Sequence, residues 1–261
     1  MAARATFEDL IAEGAAEPVA GWDFSWLAGR AAEERPRWGY SGLLAAAVFG
    51  ASAVLDIQTG GGEVLAAAIS VPPPVLAATE SWPPNVALAR QRLEPLGGTV
   101  TEAADTGPLP FGDAAFDLVV SRHPTCTGWP EIGRVLRPGG RYLSQQVGAG
   151  SNRELYEYLM GPQPANPVRS ADRAASQARS AGLEVTRLES QALRVEFFDI
   201  GAVVYFLRKV LWTVPDFSVE RYRGRLAALH EQIEAGGPFT CHAQRYLIEA
   251  RRPGLPAAAP G

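Results

Sequence analysis

Residues 54–63, VLDIQTGGGE, constrain the fold more than any other segment: an apolar run ends in an acid, and a glycine turn then opens a helix. Glycines at 60–62 put no Cβ between the backbone and a ligand, and a helix beginning near Glu63 offers unpaired N–H groups at its positive end. A turn of this kind at the carboxyl end of a strand is where α/β sheets bind cofactors, although a tight strand-to-helix turn also wants glycine for conformational reasons alone. The surrounding sequence decides between the two.

From about residue 50 the chain alternates strand and helix, the pattern of a parallel sheet covered on both faces. Strands are predicted at 53–56, 75–79 ending at Glu80, 99–103 with Asp105 beyond it, 116–120 and 141–147, with helices at 63–70, 84–93 and 131–136. Helices follow at 151–160 and 171–181, then an extended run at 183–197, helical stretches at 200–212 and 219–234, and a last strand at 239–250. The fold class is α/β, a doubly wound, mostly parallel, seven-stranded sheet. Its domain is expected over 50–252, with a helical insertion at about 197–235 lying over the binding edge. The last two strands are expected to pair antiparallel at one edge. Residues 1–49, rich in Trp22, Phe24, Trp26, Trp38 and Tyr40, form an N-terminal helical and aromatic cap that packs over the sheet instead of joining it. The Pro/Ala/Gly stretch 253–261 is read as a disordered tail.

Composition removes several classes of function. With 47% hydrophobic and 20% charged residues the chain is globular, and its formal charge of -4 gives no general attraction to nucleic acid or an anionic membrane. Cys126 and Cys241 stand far apart, so neither a disulfide framework nor a four-cysteine zinc site can be built, and no metal is expected. The acids Glu8, Asp9 and Glu13 sit where a signal peptide would be apolar, and the stretches 42–55 and 200–212 are too short to span a bilayer. A cytoplasmic protein is expected.

Ligands of open parallel sheets lie outside the carboxyl ends of the strands, so Asp56, Glu80, Asp105 and residues 121–123 converge on one crevice. Each carboxylate follows a different strand, which suits the spread-out polar groups of a long cofactor better than an acid/base pair. Glu80 stands where an acid accepts both hydroxyls of a ribose, and also where an acid favours a helix N-terminus. Asp105 can take an adenine amino group or form a turn before Gly107.

Four segments together, LDIQTGGGE (55–63), Glu80, ADTGPLPFGDAAFDLVVSRH (104–123) and RVLRPGGRYL (134–143), make the chain resemble a class I S-adenosylmethionine-dependent methyltransferase, of the type that includes the quinone-biosynthesis C-methyltransferases. The resemblance covers about residues 50–150 and implies a Rossmann-like methyltransferase fold. It implies that Asp56, Gly60 and Gly62 shape the methionine pocket, that Glu80 holds the ribose and that Asp105 meets the adenine, with Gln58, Ser81, Ala104 and Ser121 beside them. Gln58 departs from the pattern, since the family usually has glycine there. A nicotinamide dehydrogenase also carries a glycine-rich turn, but it wants a small residue three places after the second glycine, where this chain has Leu65.

His123 is placed by the strand reading near the reacting methyl, as a base for a hydroxyl or amine or as a locally bonded loop residue. Arg122 is a candidate for holding an acidic substrate. Trp26 and Tyr205 are candidates for substrate contact, and the aromatic run 195–212 is read either as core or as a substrate wall. The expected function is methyl transfer from S-adenosylmethionine, releasing S-adenosylhomocysteine, to a small-molecule acceptor. The alternatives are an rRNA or tRNA base methyltransferase and a non-catalytic cofactor-binding or partner protein.

Overall fold

In a computed structural model of the chain, which describes residues 5–19, 24–164 and 167–254, helix α1 (Phe7–Ala16), strand β1 (Ala31–Glu33) and helix α2 (Tyr40–Phe49) come before the alternating region. Alternation then runs through β2 (Ala53–Asp56), α3 (Glu63–Ala68), β3 (Val75–Glu80), α4 (Pro83–Leu93) and β4 (Thr99–Glu102). It continues through β5 (Phe116–Arg122), α5 (Trp129–Val135) and β6 (Leu136–Val147). The remainder supplies α6 (Arg153–Met160), α7 (Ala171–Ser180), β7 (Glu184–Phe197), α8 (Ile200–Lys209), α9 (Val219–Gly236) and β8 (Phe239–Arg251). Trp22 and residues 255–261 of the expected tail lie outside the described residues.

The strand order is β1-β7-β8-β6-β5-β2-β3-β4. Strands β2 to β6 pair in parallel, while β6 with β8 and β1 with β7 are antiparallel. The doubly wound, mostly parallel class is the expected one, with three differences in detail. The sheet has eight strands instead of seven, because Ala31–Glu33 pairs with residues 195–197; this part of the N-terminal segment joins the sheet and does not pack over it. Strand β8 lies between β7 and β6, not at an edge. Strand β5 runs on through Arg122, which sequence placed in a loop.

Two compact units are distinguished. Residues 36–149, 167–191 and 245–261 make one, which holds the parallel strands. Its core lies on both faces of the sheet, and successive strand residues go to opposite sides as the pleat requires. Val54, Val120, Leu143 and Leu247 pack with α2, α3 and α4, whereas Leu55, Val119, Tyr142 and Ile248 pack with α5 and α7. Residues 36–49, with Trp38, Tyr40 and Leu44 buried, belong to this unit.

The other unit, residues 1–35, 150–166 and 192–244, packs α1, α6, α8 and α9 around Leu155, Phe197, Val204, Leu226 and Leu229. Helix α1 opens with a capping box between Thr6 and Asp9, and α8 with the Asp199 carboxylate accepting from the Ala202 N–H at 2.8 Å. Gly14 and Gly201 let α1 and α8 approach closely, since a Cβ on either would collide with backbone of the other helix.

Candidate active site

Strand β2 delivers Asp56 to a buried position, and the turn that follows is anchored on both sides. Ile57 N–H donates to the Val120 carbonyl and Thr59 N–H to the Thr79 carbonyl, each at 2.9 Å. The turn then passes through positive φ at Gln58 (58°), Gly60 (64°) and Gly62 (79°). A Cβ on Gly62 would meet the Ala89 Cα at 3.3 Å, so this glycine also permits close packing against α4. Thr59 donates its hydroxyl to Asp56 at 2.6 Å. Burial pushes the Asp56 carboxyl up to about 7, with the Thr59 hydrogen bond opposing and the charge of Glu80 adding to the rise.

Glu80, the last residue of β3, clamps the turn. One carboxylate oxygen accepts from Gly60 N–H at 2.8 Å, and the other accepts from the N–H groups of Ser81 and Trp82, each at 3.0 Å. A carboxylate offers about four acceptor positions, so capacity for a ligand hydroxyl remains, chiefly on the oxygen facing Gly60.

Across the crevice, Ala104 and Asp105 follow β4, and the loop after β5 reaches over to them. Thr125 donates its hydroxyl to the Asp105 carboxylate at 2.6 Å, and the Cys126 thiol donates to the Asp105 carbonyl at 2.8 Å. Gln58 joins the same loop: its carbonyl oxygen accepts from Thr125 N–H at 2.6 Å, and its amide donates to the Cys126 carbonyl at 2.9 Å. Thr125 has one hydroxyl proton, so its 3.1 Å contact with Gln58 cannot be a second donated bond. Gln58 therefore straps the glycine turn to the 125–126 loop. The cavity lined by Gln58, Ala104, Asp105, Ser121 and Cys126 measures about 20 Å³. That is room for about one water, so a nucleoside base reaches Asp105 from this side only when the loop moves.

His123 is the first residue beyond β5 and has φ 54°. The Trp38 indole donates to the Gln145 carbonyl oxygen at 2.8 Å, which turns the Gln145 amide toward His123 Nε2 at 3.0 Å. An amide nitrogen can only donate, so this network assigns Nε2 as acceptor and the proton to Nδ1. Desolvation, followed by the charges of Arg122 and Arg245, holds the ring well below the ordinary histidine range. The ring is thus neutral. Sequence reasoning gave Trp38 only as part of a cap and gave Gln145 no role; nothing local ties them to residue 123.

Ser121 is buried, with its hydroxyl 2.7 Å from the Tyr142 hydroxyl and 2.9 Å from that of Ser144. Its carbonyl accepts from the Tyr40 hydroxyl at 3.0 Å. Arg122 is exposed at the end of β5. Asp56, Gln58, Gly60, Glu80, Ser81 and Asp105 thus lie in one unit, held by the bonds of Asp56 with Thr59, of Glu80 with Gly60 and Ser81, and of Gln58 and Asp105 with Thr125. Trp26 and Tyr205 form a pair of their own in the other unit, with ring centroids 4.9 Å apart and Arg30 over the Trp26 ring. Tyr205 is only 2% exposed. Among the described residues no group of three or more His, Cys, Asp or Glu side chains could hold a metal ion, and no helix is long and apolar enough to cross a membrane.

Residues 55–144 match the family model described as a methyltransferase domain. A presumed methyltransferase from Bacillus halodurans C-125 is similar in structure, with 20% identity, TM-score 0.54, and coverage of 80% of this chain and 98% of that one. So is the YcgJ protein from Bacillus subtilis, at 18% identity and TM-score 0.57, covering 83% and 99%. A presumed sarcosine dimethylglycine methyltransferase from Galdieria sulphuraria follows at 18% and TM-score 0.51, covering 83% and 84%. No curated protein matches the sequence. The sheet and its glycine turn define the class I methyltransferase fold. The family match covers residues 55–144, the stretch that runs from β2 into β6 and holds the glycine turn.

Proposed function

We propose that the chain transfers the methyl group of S-adenosylmethionine to a small-molecule acceptor in the cytoplasm and releases S-adenosylhomocysteine. The observation that carries this reading is the clamp of Glu80 on Gly60 N–H, which leaves acceptor capacity beside the glycine turn for a ribose hydroxyl. Asp56, with Gly60 and Gly62, receives the amino-acid end of the cofactor, and Asp105 receives the adenine amino group once the Thr125 hydroxyl gives way. Gln58, Ser81, Ala104 and Ser121 border the same space. When bound, the cofactor supplies a methyl group already made electrophilic by its sulfonium. The protein's own task is then to position the acceptor and exclude water, which is worth about 7–11 kcal/mol.

His123 is the candidate base. Its neutral ring can accept a proton from a hydroxyl or amine if Nε2 exchanges Gln145 for the acceptor. Arg122 is the candidate acceptor contact in the unit that holds the crevice, and no metal enters the scheme. The net charge of -4 favours a small molecule over nucleic acid, and two free cysteines suit a reducing compartment. Incubation with methyl-labelled S-adenosylmethionine tests the reading against a metabolite extract and, separately, against ribosomal and transfer RNA. Label in a small molecule supports it; label confined to RNA would replace the small-molecule acceptor, and label in neither would contradict the proposal.

A further inference from the structure

We infer that Arg122 and Arg245 form the acid-binding end of the acceptor site, so that the methyl acceptor carries a carboxylate or phosphate group. This rests on the methyltransferase reading above and narrows its acceptor class. Arg122 pairs in register with Gln145, Gln145 with Leu247, and Val147 with Arg245. Residues in register share a sheet face, as do residues two apart on a strand, so Arg122, Gln145, Leu247 and Arg245 all project to one side. Asp56 is in register with Val120 and belongs to that same side, two residues short of Arg122.

The two arginine Cα atoms are separated by two strand spacings and an offset of two residues, about 12 Å. Two arginine side chains extended toward each other span that gap and can close on one anion. Arg122 is exposed, and its guanidinium makes no hydrogen bond or ion pair among the described residues. The charges of both guanidiniums reach the His123 ring. Tyr40, whose hydroxyl donates to the Ser121 carbonyl, lies within reach of the charges of Asp56 and Arg122. A carboxylate or phosphate group is the ligand that a guanidinium pair recognises.

The test titrates the full chain, with and without S-adenosylhomocysteine, with benzoate, inorganic phosphate and the neutral benzamide. The readout is the nuclear magnetic resonance signal of the His123 ring, which His123→Asn identifies among three histidines. Benzoate or phosphate should shift that signal saturably while benzamide does not. Arg122→Gln and Arg245→Gln should each weaken the anion by about tenfold or more, the loss of a charge-assisted bond, and leave S-adenosylhomocysteine affinity within about twofold. No shift with either anion, or a shift that survives in both variants, overturns the proposal. A carboxylate could also come from the cofactor, and 5′-methylthioadenosine, which lacks the amino-acid portion, separates the two sources. If Arg122→Gln weakens S-adenosylhomocysteine but not 5′-methylthioadenosine, the arginines hold the cofactor's own acid and the acceptor assignment fails. Anion binding without any S-adenosylhomocysteine binding would instead leave the acid site standing and remove the cofactor reading.

Discussion

Gln58 sets two effects of similar size against each other, and replacing it separates them. Its φ of 58° lies in the left-handed region, where a side chain costs about 1–2 kcal/mol. Its side chain makes two hydrogen bonds, to Thr125 N–H and the Cys126 carbonyl, which together contribute about 2 kcal/mol at roughly 1 kcal/mol each. Gln58→Gly loses the strap and relieves the backbone, but glycine's greater freedom when unfolded takes back about 0.5–1 kcal/mol. The variant should therefore be about 1–2 kcal/mol less stable than the wild type. Gln58→Ala loses the same bonds without relief and should lie about 1 kcal/mol below Gln58→Gly. Chemical unfolding with and without S-adenosylhomocysteine reads both quantities. Because the strap holds the 125–126 loop against Asp105, the glycine variant should keep or gain cofactor affinity. Equal stability of the alanine and glycine variants would refute the backbone term, and a ligand-free glycine variant as stable as the wild type would refute the strap. Much weaker ligand binding by Gln58→Gly would mean that the glutamine itself contacts the cofactor.

Glu80→Ala should destabilise the fold as well as the ligand complex, since it orphans three backbone N–H groups at about 1–3 kcal/mol for each one left dry; Glu80→Gln retains the shape and is the cleaner probe of ribose binding. Asp56 titrates at about 7 in the fold against an ordinary 3.8. The native state therefore holds the extra proton between those values, and this contribution is fully present below the lower value and lost as pH rises through 7. Asp56→Asn should remove a pH-dependent fall of order 4 kcal/mol between pH 4 and 8 in denaturant titrations, and an unchanged slope would contradict the buried-acid account. If His123 is the base, the acid limb of turnover should lie below its ordinary 6.5, because burial and two arginines depress the ring. His123→Asn should then lower turnover by about 100-fold with cofactor affinity unchanged. Full turnover in that variant, with a neutral-hydroxyl or amine acceptor, would assign the ring to structure.

What could be read from sequence was what local chemistry dictates. Ala53–Asp56 is an apolar run closed by an acid, and glycines force the turn that follows, so β2 and the start of α3 at Glu63 stand where the sequence put them. Glu80 and Asp105 were singled out because each stands at or just beyond the carboxyl end of a strand in an alternating pattern. The three residues of β1 carry no alternation, and their partner strand lies more than 160 residues away, so nothing local announces them. The insertion of β8 between β7 and β6 is likewise a matter of which distant strands pair. Gln58 was recognisable as a departure at a glycine position. Its bonds to residues 125 and 126 depend on where a remote loop comes to rest, as does the Trp38–Gln145–His123 chain.

Calorimetric titration of the full chain with S-adenosylhomocysteine, repeated on Glu80→Gln with NAD as the control ligand, tests the central claim most directly. The account predicts saturable one-site binding to the wild type, about 10-fold or greater weakening in a still-folded Glu80→Gln, and no binding of NAD. Binding of NAD in place of S-adenosylhomocysteine, or an affinity indifferent to Glu80→Gln, would contradict the assignment of this crevice.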